Sequence, residues 1–192
     1  MPQLYLVRHA RPSAAWGQDP DPGIDPAGLE QSRTTASELA ASLAPLTILS
    51  SPLRRCRETA QPLEQMWQRS ARVFTPVAEI PSPPLDANAK REWLTTGMQG
   101  TWSQLQASSP PGSPDYLEWR QSLLDSLSAI DSDCVIYTHF IAINVVAAAA
   151  RGSDKVICFR PDHASVTLVE THGNEIRLVA LGREAETSVL TR

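Results

Sequence analysis

Three short stretches of the chain bring together residue types that suit a phosphoryl group. In YLVRHARP, residues 5–12, an apolar run of Leu4, Tyr5, Leu6 and Val7 stops abruptly on Arg8 and His9. In SSPLRRCRETA, residues 50–60, a serine-proline turn leads into a cluster of Arg54, Arg55 and Arg57. In VIYTH, residues 135–139, another apolar run ends on Thr138 and His139. A guanidinium offers paired donors that match phosphate oxygens. A neutral imidazole is a nucleophile near pH 7 once one ring nitrogen is held by a hydrogen bond and the other faces phosphorus. Arg8 and His9 alone read equally well as a strand end that happens to be polar; the weight lies in three such ends on one chain.

The elements around these residues decide whether they meet. Leu4 to Val7 have the continuous apolar character of a strand buried on both faces of a parallel sheet. Asp25 as N-cap, Pro26 at the first helical position and Ile24 with Leu29 as a hydrophobic staple predict a first helix. Its packed face is Leu29, Ala36, Leu39, Ala40 and Leu43, and Pro45 ends it. Residues 46–49 predict a second strand, after which Ser51 as cap and Pro52 at the first helical position begin a helix with the stripe Leu53, Cys56, Ala60, Leu63 and Trp67. Residues 73–77 predict a third strand, and residues 134–137 a fourth that runs straight into a helix over 140–151 closed by Gly152. The segment ASVTLVETHGNEIRLVALG predicts a hairpin turning at His172, Gly173 and Asn174. Strands alternating with helices imply an α/β fold, a three-layer sandwich with a mostly parallel central sheet and an antiparallel edge. Ligands of such sheets bind beyond the carboxyl ends of the strands. All three polar tips arrive there, at helix N-termini whose free N–H groups and macrodipole also favour an anion.

Between the third and fourth strands, the proline clusters IPSPPLD and SSPPGSP bound an irregular section with two helical segments near residues 90–105 and 116–130. It reads as a small helical cap inserted at about 82–132 in a single domain of 192 residues, a length that one core can fill. Trp93, Trp102, Tyr116 and Trp119 make the section aromatic enough to cover an apolar substrate group, although each alone reads as packing. A net charge of -4 and a pI near 5.6 argue against a general nucleic-acid binder. Cys56, Cys134 and Cys158, odd in number and widely spaced, predict reduced thiols. The first residues lack the ordered parts of a signal peptide. The most apolar stretch, residues 140–150, falls well short of the ~20 residues that cross a bilayer. A soluble, cytoplasmic protein without a membrane partner is expected, its oligomeric state left open. No two histidines stand at helical ligand spacing and no paired-cysteine motif exists, so no metal or cofactor is expected.

The three motifs, in this order and setting, resemble the signatures of the histidine phosphatase superfamily, the phosphoglycerate mutase-like proteins. Their usual forms are LVRHG, a serine-proline-leucine turn with an arginine two residues on, and an apolar strand ending in Ser-His or Thr-His. IDPAGLEQ and FRPDHASVTLVE are similar to the family's first-helix opening and its approach to a late strand; residues from about 82 to 132 lie outside the resemblance. The resemblance implies a metal-independent phosphatase that hydrolyses a phosphomonoester, on a small molecule or a phosphoprotein, through a phosphohistidine on His9. Arg8, Arg55 and His139 would bind the transferring group. The family often draws a glutamate proton donor from the loop after the third strand, where this chain has Glu79 in VAEIPSP; Asp86 and Glu92 are weaker substitutes. Ser13 after the nucleophile, Arg57 on the flank of the second helix and His163 in RPDHAS are candidate substrate contacts, while Arg54 reads as a solvated partner of Glu58 four residues on. Two positions depart from the pattern. Ala10 replaces the common glycine after the nucleophile, and Phe140 replaces a small residue after the second histidine, where it either crowds the pocket or walls it with apolar surface. Two competing readings remain: a phosphoglycerate mutase-like phosphotransferase, which the short insertion disfavours, and a non-catalytic phosphate-recognition module, which intact His9, Arg8, Arg55 and His139 oppose.

Overall fold

The structure, a computed structural model, describes residues 1–14 and 19–185. Its central strand is β4, Cys134–Thr138, in which every residue is buried. The sequence CVIYT puts β-branched and aromatic side chains on both faces, as a strand covered by helices on both sides requires. β1, Gln3–Arg8, pairs with it in parallel, with Leu6 opposite Ile136 and Arg8 opposite Thr138. On its other side β2, Thr47–Ser50, is also parallel, with Ser50 opposite Tyr137. The short β3, Arg72–Val73, extends β2 in parallel. Beyond β1 lie β5, Val166–His172, and β6, Glu175–Ala180, an antiparallel hairpin whose turn has Gly173 at φ +56°. The six strands run in the order β3-β2-β4-β1-β5-β6, the mostly parallel sheet with an antiparallel edge that the sequence predicts.

Helices cover both faces. α1, Pro26–Ser42, and α2, Arg54–Trp67, close a core around Val7, Ile48, Val135 and Tyr137. Asp25 caps α1 as expected, its carboxylate accepting from the Gly28 N–H at 2.7 Å. Ala36 and Leu39 are buried as expected, with Ala40 and Leu43 packed against the same core, but Leu29 is 37% exposed and Gly28, Ser32 and Thr35 take its place on the buried face. Small residues win there because the chain just beyond His9 crosses the helix closely: a Cβ on Gly28 would stand 2.3 Å from the Arg11 carbonyl oxygen. α2 buries Cys56, Ala60, Leu63 and Trp67 as its stripe predicts, but it starts at Arg54 with Leu53 as N-cap, so Ser51 does not cap it in the way its position before a proline led us to expect.

The third strand is shorter than its apolar run. Pro76 cannot donate to a ladder, so β3 stops at Val73 and a single 3-10 turn, Thr75–Val77, redirects the chain over the sheet tips. There the Val77 carbonyl accepts from Thr138 Oγ1 at 2.7 Å.

The opposite face carries α4, Trp102–Ser108, α5, Tyr116–Ser128, and α6, Phe140–Ala150. α6 is apolar but for Asn144, as suits a helix buried throughout residues 140–148, and Gly152 follows it at φ +61°. The section expected to hold two helical segments holds three helices. α3, Ala87–Gly97, is separated from α4 by Met98, Gln99 and Gly100, and a capping box of Thr101 and Gln104 restarts the helix. Trp102, Leu105, Tyr116, Leu123 and Leu127 share one buried cluster with Leu4 and Ile136, so α4 and α5 belong to a layer of the sandwich. The ring pairs Trp93–Tyr116 and Trp102–Trp119, with centroids 5.2 Å and 5.9 Å apart, serve that packing. All three cysteines are free thiols. Among the described residues, no helix is long and apolar enough to cross a membrane.

Candidate active site

Backbone pairing continues one residue past each parallel strand. The His9 N–H donates to Thr138 O and the Ser51 N–H to Tyr137 O, each at 2.9 Å. His9, Ser51 and His139 are therefore set side by side at the carboxyl end of the sheet. The His9 ring centroid lies 5.3 Å from that of His139 and 5.8 Å from that of His163.

His9 Nδ1 is 2.8 Å from Ala10 O. A carbonyl only accepts, so Nδ1 carries the proton and Nε2 presents a lone pair. The same turn is fastened to α2: the Ala10 N–H donates to Thr59 Oγ1 at 3.0 Å, and Thr59 donates to Arg55 O at 2.6 Å. Sequence reasoning missed Thr59, although its place one helical turn after Arg55 was the available signal. Burial, then His139, Arg8 and Arg55, hold the His9 pKa well below the ordinary histidine value, which keeps the ring neutral.

His139 has the opposite tautomer. Arg55 Nη2 lies 3.1 Å from its Nδ1, and a guanidinium only donates, so Nδ1 is bare. The proton sits on Nε2, 2.7 Å from Ser51 Oγ, with Cys56 Sγ at 3.4 Å behind it. Ser51 thus orients a histidine. Burial first, then Arg55 and Arg8, push the His139 pKa well below the usual value.

Glu79 reaches this edge from the rerouted segment after β3. Its Oε2 lies 3.7 Å from His139 Nδ1 and 4.0 Å from Arg55 Nη2. Burial raises its pKa, against the opposing pull of Arg55 and of the Ile80 and Ile141 N–H groups. Arg8, only 5% exposed, is anchored by Nη1 to Pro161 O at 2.9 Å and by Nη2 to His163 Nε2 at 3.0 Å, with its guanidinium carbon 5.0 Å from the centre of the Phe140 ring. Its Nε is buried without a protein partner, and burial lowers its pKa to about 10. Two guanidiniums among neutral imidazoles, with one carboxyl group biased toward its neutral form, make a buried site that favours an oxyanion. Helix ends contribute less to it than expected. The Arg54 N–H is taken by Asp21 Oδ1 at 2.8 Å, and the Ile141 amide is engaged by Glu79.

The remaining candidates lie as follows. Phe140 is buried and forms the wall on which Arg8 rests. Ser13 is exposed in its loop, its N–H bonded to Gly23 O. Arg57 is exposed and lines a cavity of about 130 Å³ with Ser50, Gln61, Glu64, Ala71 and Val73, a different set from the residues around His9. Arg54 pairs with Glu58 at 2.7 Å, as its spacing predicts. Asp86 caps α3 through the Asn88 and Ala89 N–H groups and Glu92 is exposed on that helix. Of the three candidate carboxyl groups, Glu79 is the one that the structure brings to His139. Among the described residues, no group of three or more His, Cys, Asp or Glu side chains is arranged to hold a metal ion.

Fold and site together are those of a phosphatase-type α/β enzyme. The model of the histidine phosphatase superfamily (branch 1) matches residues 4–184, and the chain belongs to that superfamily. Its fold is similar to that of a protein titled mycobacterial hydrolase 1, at a TM-score of 0.74 and 21% identity over 96% of this chain and 100% of the other. A mycobacterial glucosyl-3-phosphoglycerate phosphatase, solved with inorganic phosphate, gives a TM-score of 0.72 and 23% identity over 98% of this chain and 100% of the other. A Thermus thermophilus protein gives 0.66 and 21% over 95% and 99%. At these identities the likeness is one of fold. No curated protein sequence matches the chain.

Proposed function

We propose that the protein is a metal-independent phosphatase that hydrolyses a phosphomonoester through a phosphohistidine on His9. The observation that carries this reading is the 2.8 Å contact of His9 Nδ1 with Ala10 O, which leaves Nε2 as a fixed, unprotonated nucleophile among Arg8, Arg55 and His139. The substrate's phosphoryl oxygens lie between the two guanidiniums and His139. Nε2 attacks phosphorus in line, the P–N bond forms and the P–O bond to the leaving group breaks. The ring keeps its Nδ1 proton, and Ala10 O stabilises the imidazolium that results. Glu79 gives its proton to the leaving oxygen. Water then attacks the phosphohistidine, the Glu79 carboxylate accepts a water proton, the P–N bond breaks and inorganic phosphate leaves. His139 accepts from Arg55 in the empty site; a substrate that binds as its phosphate monoanion passes its proton to Nδ1, which then donates to a phosphoryl oxygen, and the proton leaves with inorganic phosphate.

The substrate is a phosphorylated small molecule or a phosphorylated protein side chain, and the enzyme works in the cytoplasm. Superfamily membership supports the chemistry, and the structural likeness to a phosphatase of a phosphoglycerate derivative is consistent with hydrolysis. The test is rapid quench with radiolabelled substrate. Acid-labile, base-stable label should appear on the wild type, and His9→Ala should lose both the label and at least ~10³-fold in turnover. Label that persists in His9→Ala would sink the assignment.

A further inference from the structure

Residues 161–165 clasp Arg8 by both backbone and side chain. Ser165 O accepts from the Arg8 N–H at 3.1 Å, the Ala164 N–H donates to Arg8 O at 3.1 Å, and Pro161 O accepts from Arg8 Nη1 at 2.9 Å. Between them His163 Nε2 lies 3.0 Å from Arg8 Nη2. A guanidinium has donors only, so the contact exists only if Nε2 is unprotonated, and a neutral ring must then carry its proton on Nδ1. We infer that His163 is a positioning residue: as a neutral imidazole it accepts from Arg8 and holds the guanidinium against Phe140, ready for the phosphoryl group. This inference rests on the phosphatase reading and assigns His163 a different part from a direct substrate contact.

Three features support it. The loop is held in an unfavourable conformation to make the contact: Ala164, not glycine, adopts φ +56°, fixed by Thr35 Oγ1 donating to Ala164 O at 2.8 Å and by Asp162 Oδ1 accepting from the His163 N–H at 2.8 Å. Arg8 needs the acceptor, because its guanidinium is buried: Glu79 and Asp162 attract it through space and Arg55 repels it, but the side-chain nitrogen within hydrogen-bond distance of Nη2 is His163 Nε2. Without His163, Nη2 would join Nε as a buried donor lacking a protein partner. The surroundings also keep the ring neutral: burial and then Arg8 lower its pKa to about 4, with Arg11 acting in the same sense and Asp162 and Asp25 opposing, while the neutral His9 ring lies alongside.

The experiment compares His163→Ala with His163→Asn, whose side-chain oxygen can still accept from Arg8. His163→Ala should lose roughly 10- to 100-fold in kcat/KM, the scale of a lost hydrogen bond to a charged group, and inhibition by inorganic phosphate should weaken in parallel. His163→Asn should recover most of both. The ring itself is read without turnover, by nitrogen-15 NMR assigned by difference from His163→Asn: a neutral ring protonated on Nδ1 from pH 7.5 down to about 5 is expected. A ring protonated on Nε2, or a cationic ring at pH 7, would overturn the inference. So would equal losses in the two variants with phosphate inhibition unchanged. A wild type that hydrolyses no phosphomonoester would instead sink the phosphatase reading, and the tautomer would still decide the role of His163.

Discussion

Acid should destabilise this protein before most of its carboxylates titrate, because three histidines are held neutral in the folded state. The pKa values of His9, His139 and His163 are all lowered, in each case chiefly by burial. In the unfolded chain an imidazole titrates near 6.5. Below that pH the unfolded chain takes up protons that the folded one refuses. The histidine contribution is therefore complete above pH ~6.5 and is lost as pH falls toward the folded values. For His163 the drop from 6.5 to about 4, at ~1.4 kcal/mol per decade of proton affinity, amounts to about 3 kcal/mol. Most of it is gone by pH 4.5. His9 and His139 act in the same direction. Glu79, with its raised pKa, acts in the opposite one, since its protonated form is favoured in the fold and its contribution is lost as pH rises. Three groups oppose one, against a total stability typically of about 5–15 kcal/mol. The assay is urea unfolding followed by tryptophan fluorescence at intervals from pH 7.5 to 4.5 in phosphate-free buffers. With an m-value near 2 kcal/mol/M, the His163 share alone should lower the midpoint by about 1 M. His163→Asn should show a shallower fall. A wild-type midpoint that stays flat between pH 7.5 and 5 would refute the claim that these rings are buried and neutral.

Two further outcomes follow from the same site. Glu79→Gln should slow phosphoenzyme formation from alkyl phosphates by about 10² to 10⁴, while nitrophenyl phosphate, whose leaving group needs no proton, should suffer far less; equal losses in single-turnover measurements would mean that Glu79 orders the site rather than donating. Turnover should survive exhaustive dialysis against a strong chelator, because in the proposed mechanism Arg8 and Arg55 supply the positive charge at the transferring group. Activity that vanishes on dialysis and returns with one divalent ion would count against that assignment.

Much of the candidate site is legible in the sequence because parallel pairing turns sequence position into spatial position. Arg8 and His9, Ser50 and Ser51, and Thr138 and His139 end apolar runs, and in-register parallel strands must bring such ends together. Arg55 was reachable only through its motif. Its angle on α2 lies away from the apolar stripe, yet it is 8% exposed, since the sheet tip and not the sheet face buries it. Local signals misled where a through-space partner outbid them. A serine before Pro52 has the form of a cap in any sequence, and whether it serves the helix or His139 depends on the tip of β4, some 88 residues away. In the same way the apolar run over 73–77 has strand propensity throughout, but Pro76 and the bond from Thr138 to Val77 turn it into the segment that delivers Glu79.

Ala164 marks where sequence reasoning ends. Nothing about an alanine announces a left-handed turn, and the conformation costs roughly 1–2 kcal/mol that a glycine would not incur. It persists because its surroundings leave no alternative. The Ala164 N–H and the Ser165 carbonyl are both bonded to the Arg8 backbone, Thr35 on α1 holds the Ala164 carbonyl, and the Asp162 N–H is paired with Arg183 O. A turn so constrained lets His163 reach Arg8 from the segment that leads into β5, the strand paired with β1, and it does so with a residue whose stiffness a glycine would lack. Strain of this kind becomes visible only when the strands, helix α1 and the loop are all in place, and it therefore points to the residue that the turn exists to present.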